Sequence, residues 1–152
     1  MSNQVRRKGK LKMWIIILII IVVLAAVIGG GILVTEPGRR EIKDLVITDV
    51  DFKELHDGTY VGEYIGTKDH LRDTIVQVKI SSEKISEIKI LKGAINKEGQ
   101  PSELTGGLSI GNLFDNVIKS QSLEVDVISG ATLTSKTHLK ALEKALEQAQ
   151  ID

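Results

Sequence analysis

Four hydroxyl side chains crowd one short stretch of the chain. Residues 121–135 read QSLEVDVISGATLTS, and Ser129, Thr132, Thr134 and Ser135 fall within seven positions. The pattern predicts a strand over Leu123–Ile128, a small-residue turn, and a helix starting near Thr134 or Ser135. Free N–H groups and the dipole at a helix start favour an anion, phosphate above all. Gly130 and Ala131 leave room for a bulky group to approach the backbone. The same residues also suit a plain capped helix, because Ser and Thr are common caps and Gly is common in turns. Residue types alone leave both readings open.

No other constellation points to catalysis, and no catalytic residue is assigned. The chain has no cysteine, which excludes a disulfide scaffold, cysteine-ligated zinc, thiolate iron–sulfur clusters and a cysteine nucleophile. His56, His70 and His138 are scattered, so no metal site is expected. Aromatic residues make up 3%, too few for a platform that stacks nucleic-acid bases.

The elements that must position the hydroxyl cluster are legible around it. Asp57-Gly58 signals a turn, and Thr59–Gly66 reads as a strand weakened by Gly62. Thr74–Ile80 alternates, with Val76, Val78 and Ile80 on one face, and Ile85–Leu91 follows across four polar residues, which predicts a β-hairpin. Residues 92–111 form a long glycine-rich loop. Residues 112–121 carry Leu113, Phe114, Val117 and Ile118 at helical spacing, with Asn112 as N-cap. Leu139, Leu142, Leu146 and Ala149 form a narrow apolar stripe on a C-terminal helix. Strands followed by helices predict an α+β domain: an antiparallel sheet with packed helices, preceded by one N-terminal transmembrane helix.

That first helix is the 22-residue uncharged run Met13–Val34, about 33 Å long against a bilayer core of about 30 Å. A cleaved signal peptide is the competing reading, but its apolar region is usually shorter. Residues 1–12 hold five bases and no acid, which assigns them to the cytoplasm. The organisation expected is a basic cytoplasmic tail at 1–12, a span at 13–34, a juxtamembrane linker at 35–54 and an extracytoplasmic domain at 55–152. From Thr35 onward there are 15 bases and 20 acids, net −5, which argues against nucleic-acid binding.

The hydroxyl-rich segment resembles the FMN-binding domain carried by flavin-bearing subunits of the sodium-pumping NADH:quinone oxidoreductase and of the Rnf ferredoxin:NAD oxidoreductase, and by many small exported flavoproteins. That family's signature, Asp-x-x-(Ser/Thr)-Gly-Ala-Thr, is met by Asp126, Ser129, Gly130, Ala131 and Thr132, and the following Thr134-Ser135 and leucine-rich helix are similar too. Asp57-Gly58-Thr59-Tyr60 resembles the domain's opening strand, so the likeness covers residues 55–150. It implies FMN as cofactor, joined through a phosphoester to Thr132 by a separate flavin transferase that uses FAD. Asp126 is implied in recognition by the transferase or in fixing the turn. Glu103-Leu104-Thr105-Gly106-Gly107 is the approximate counterpart of the family's central loop, which makes Thr105 and Gly106 either flavin contacts or part of a flexible loop. Tyr60 and Tyr64 are either ring contacts or strand packing.

Flavin chemistry accounts for the missing catalytic residues, because the cofactor carries the reaction. The function expected is a membrane-anchored electron-transfer flavoprotein rather than a stand-alone catalyst, relaying electrons between a donor and an acceptor that the sequence does not name. The alternatives are a non-covalent FMN-binding reductase domain and a non-redox exported interaction module.

Overall fold

The computed structural model describes residues 3–48 and 50–150. The chain divides into two compact units, Met1–Pro37 and Gly38–Asp152. A single helix, α1 (Asn3–Lys43), carries the first unit and the opening of the second. The side chains of the basic tail at 1–12 lie outside the described residues. From Met13 onward α1 is long and apolar enough to cross a membrane. Its side chains from Met13 to Ile32 are all exposed, a surface that is stable in hydrocarbon rather than water.

The second unit is built on a three-stranded antiparallel sheet in the order β1-β2-β3, with β1 Gly58–Tyr64, β2 Thr74–Ser81 and β3 Lys84–Lys92. Val76, Val78 and Ile80 of β2 are buried, as the alternation predicts. They lie directly opposite Ile90, Ile88 and Ile85 of β3. The β3 residues are spaced three and then two apart, so a bulge at Ser86 is needed to keep all three on one face. Ser82 and Glu83, both at positive φ, make the two-residue turn between β2 and β3. Their N–H groups donate to the Asp57 carboxylate at 2.9 Å, which holds that carboxyl below its usual range.

The glycine-rich loop holds a second, two-stranded piece, β4 (Glu103–Thr105) and β5 (Leu108–Ser109), turned by Gly106 and Gly107. Helix α2 (Ile110–Ser120) follows directly. Its N-cap is Ser109, and Asn112 sits three residues inside, where its Oδ1 accepts the Ser109 N–H at 2.9 Å. Asn112 therefore supports the cap from the first turn instead of being the cap itself.

The expected strand at Leu123–Ile128 is irregular chain. Val125 turns its N–H back onto the Leu123 carbonyl at 2.9 Å, and among the described residues no strand pairs with the segment. The Gln121 side chain takes the backbone positions on β3 instead: its Oε1 accepts the Ile85 N–H and its Nε2 donates to the Ile85 carbonyl. Leu123 and Ile128 are buried all the same, so their apolar character reflects packing without a ladder.

Helix α3 (Thr132–Ala149) lies on the core face of β1 and β2. Leu139, Leu142, Leu146 and Ala149 are all buried, as the stripe predicts, and Ala141 and Ala145 join them. Gly62 of β1 faces this helix. A Cβ there would stand 2.1 Å from the Ala141 carbonyl oxygen and 2.4 Å from the Ala145 nitrogen. The glycine that weakens the strand locally is what lets helix and sheet meet backbone to backbone.

Among the described residues of 38–54, several are tied to the domain. Ile42 and Val50 are in its core, and Glu41 accepts the N–H groups of Thr67 and Lys68. From α3, Lys136 donates to the carbonyls of Lys43 and Leu45, and Lys140 to that of Val46. Buried Glu143 accepts the Thr48 N–H and pairs with Lys140 at 2.8 Å.

Candidate functional site

Helix α3 begins at Thr132, two residues earlier than the hydroxyl pattern predicts. Its N-cap is Ala131, which has no side-chain cap to offer. The turn before it is closed by Ser135 instead. Buried Ser135 accepts the Ile128 N–H at 3.2 Å and donates to the Ala131 carbonyl at 3.0 Å. With the turn held from inside the helix, the Thr132 side chain is exposed at the first helical position.

Gly130 stands at φ 79, the left-handed region. A Cβ at Gly130 would come within 3.2 Å of Thr105 Oγ1 and Cγ2. The tip of the β4–β5 hairpin therefore abuts the turn that precedes Thr132. Of the two loop residues singled out in the sequence, Thr105 meets the Ser-Gly-Ala-Thr segment, whereas Gly106 faces open space. Ser129 and Asp126 are exposed.

Thr132 opens onto a cavity of about 460 Å³. Its walls are Gly130, Ala131, Thr132, Leu133 and Thr134 on one side, with Arg39, Lys43 and Arg72 supplying three cations. A second cavity of about 450 Å³ shares Arg72 and Thr134 with the first. Asp73, Thr74, Lys92, Ala94, Leu104, Thr137 and His138 line it further on. Arg72 Nη1 is buried and has no hydrogen-bond partner among the described residues. An unpaired buried guanidinium nitrogen is costly unless a ligand completes it.

The floor of the second cavity is a closed polar network. Thr74 Oγ1 meets Thr137 Oγ1 at 3.2 Å, and Thr137 Oγ1 donates to the Thr134 carbonyl at 3.0 Å. His138 Nδ1 lies 2.7 Å from the same carbonyl, and His138 Nε2 accepts the Ala94 N–H at 3.2 Å. That pair of bonds defines a neutral ring with its proton on Nδ1. Burial pushes its pKa down to about 4, against the pull of the Thr134 carbonyl. At the rim, Lys92 Nζ lies 3.2 Å from Asp73 Oδ2. Burial raises the Asp73 pKa, but bonds from Gly66, Lys92 and His70 outweigh it and hold it below the usual value.

The strand tyrosines line neither cavity. Tyr60 donates to the His56 carbonyl and Tyr64 to Glu41. The residues that the sequence did not mark are Arg72, Lys92 and His138. They come from three separate segments, and only the fold brings them together.

The family model for the FMN-binding domain matches residues 70–147. No curated protein matches the chain. Among solved structures, the crystal structure of the CPE2226 protein from Clostridium perfringens is similar at 30% identity, covering 62% of this chain and 88% of that one, with a TM-score of 0.48.

Proposed function

The chain belongs to the FMN-binding domain family and its cofactor is FMN, and from that premise we propose a membrane-anchored, extracytoplasmic electron-transfer flavoprotein that holds its flavin covalently through Thr132. The observation that carries the covalent reading is the freedom of the Thr132 side chain. It is exposed at the start of α3, while Ala131 occupies the cap position and Ser135 closes the turn. A hydroxyl serving as an ordinary cap would be tied to backbone N–H groups.

The surroundings fit the group. The unpartnered Arg72 Nη1 suits a phosphate oxygen, and the helix start favours the same charge. Arg72 and Thr134 border both cavities, so a ligand anchored at Thr132 has a second, partly apolar space next to it for its ring system. When bound, FMN supplies the electron chemistry, and the chain's residues hold and orient it. In attachment, the Thr132 oxygen forms a bond to the phosphorus on the riboflavin side of FAD. The pyrophosphate bond breaks, AMP leaves with its electron pair, and the hydroxyl proton passes to a base on the transferase. A covalent link keeps the site filled where free flavin is dilute, which mass action alone would not.

Intact-mass spectrometry of the full chain tests this, with the chain purified after expression with and without a flavin transferase. The expected result is a mass gain of FMN less one water, surviving denaturation, present with the transferase and absent in Thr132→Ala. A yellow protein that loses all its flavin on denaturation would replace the covalent reading with non-covalent FMN.

A further inference from the structure

The far end of α1 contributes to the site. Arg39 and Lys43 belong to the same compact unit as Thr132, and both line the cavity on which it opens. They lie more than 85 residues before Thr132 in the chain. The segment that carries them is fixed to the domain on several sides. Ile42 is buried in the core, Glu41 is held by the Thr67 and Lys68 N–H groups, and the carbonyls of Lys43 and Leu45 are held by Lys136 of α3. The backbone that carries the two cations is therefore fixed at the cavity wall, and their side chains are exposed to its opening. Together with Arg72 they put three basic residues in the lining of the cavity on which Thr132 opens, in a domain whose net charge is negative.

We propose that Arg39 and Lys43, with Arg72, form a clamp for the flavin phosphate beside Thr132, so that the membrane-proximal end of α1 is part of the flavin site. The proposal rests on the reading that the flavin phosphate lies at Thr132. The phosphate is a monoanion once joined to Thr132 and close to a dianion in free FMN; in either form the three cations act in water-accessible space, where each charge contributes modestly and the set acts together. The clamp favours phosphorylated flavin over riboflavin and holds the phosphate beside the hydroxyl. It also means that a domain cut after residue 54 lacks two of the three charges.

The test separates the clamp from the covalent bond. Full-length Thr132→Ala, which has no acceptor oxygen, is titrated in detergent with FMN and with riboflavin, and flavin fluorescence is read. FMN is expected to bind at least about tenfold tighter than riboflavin at low salt, with the preference shrinking as salt is raised. Adding R39Q and K43Q is expected to cut that preference about three- to tenfold, while adding R39K alone keeps most of it. Far-UV circular dichroism checks that α1 and the domain stay folded, because the backbone and Ile42 contacts are untouched. Equal binding of the two flavins, no measurable FMN binding, or a preference unchanged by R39Q/K43Q overturns the clamp. The mass gain on the wild-type chain is scored separately. A chain that takes covalent FMN but shows no phosphate preference keeps Thr132 as acceptor and loses the clamp.

Discussion

His138 shows how one buried residue ties the site to the stability of the domain. Its ring is 1% exposed, bonded through both nitrogens, and neutral in the fold. In the unfolded chain it takes a proton near pH 6.5, but in the fold only near 4. The folded pKa is the lower one, so the unfolded state binds more protons between those values and stability falls as pH drops from about 6.5 towards 4. The whole shift corresponds to at most about 3 kcal/mol. Urea unfolding between pH 7.5 and 4.5 is expected to lose most of that amount, and His138→Gln, less stable at pH 7.5, is expected to lose far less over the same range. An equally steep loss in His138→Gln would assign the effect to other groups. The carboxyl groups of Asp57 and Asp73, both held below their usual values, add a further loss only at lower pH, when they too must protonate. Nothing around His138 in the sequence announces this role. Its neighbours Thr137 and Leu139 read as ordinary helix, and its partner Ala94 lies 44 residues earlier.

Between elements, the decisive contact is Gly62 against α3. A methyl group at Gly62 has no flexible neighbour to displace, because the atoms it meets are the Ala141 carbonyl and the Ala145 nitrogen. Gly62→Ala is expected to push the helix off the sheet and cost at least about 3 kcal/mol, at the upper end of ordinary overpacking. Thermal or urea unfolding measures this, and a loss below about 1 kcal/mol would mean that helix and sheet adjust more freely than their backbone contact implies. The same interface shows what a sequence can and cannot convey. The β2 alternation and the α3 stripe are legible because burial imposes a local period on each element. Leu123–Ile128 carries the same apolar signal as a strand, yet strand formation also needs a partner, and the Gln121 side chain already occupies the backbone of Ile85 there. The Ser-Gly-Ala-Thr segment is legible because it is contiguous. Arg39, Lys43, Arg72 and Lys92 come from separate segments, and no local period marks a residue whose role is to face a cavity made by others.

For the whole molecule, the proposed topology matters because it decides on which side of the membrane Thr132 would lie. The run Met13–Val34 spans about 33 Å as a helix, enough for a bilayer core of about 30 Å. Five bases precede it, and Arg39-Arg40 follow it as an adjacent basic pair, so the charge bias still favours a cytoplasmic N-terminus. In the proposed orientation Thr132 would lie outside the cytoplasm, and a permanent link would keep its site filled there however dilute free FMN is. The full chain is expected to stay with membranes through alkaline carbonate washing and to be released only by detergent. Protease added to intact cells or spheroplasts is expected to digest the domain, leaving a fragment that contains the apolar run. Release by carbonate would show that α1 does not anchor the chain. Protection of the domain until the cells are lysed would place Thr132 on the cytoplasmic side, where soluble flavin is plentiful. The argument from scarcity would then fail, and the proposed covalent bond would need another reason, such as holding the flavin at a fixed distance from a membrane partner.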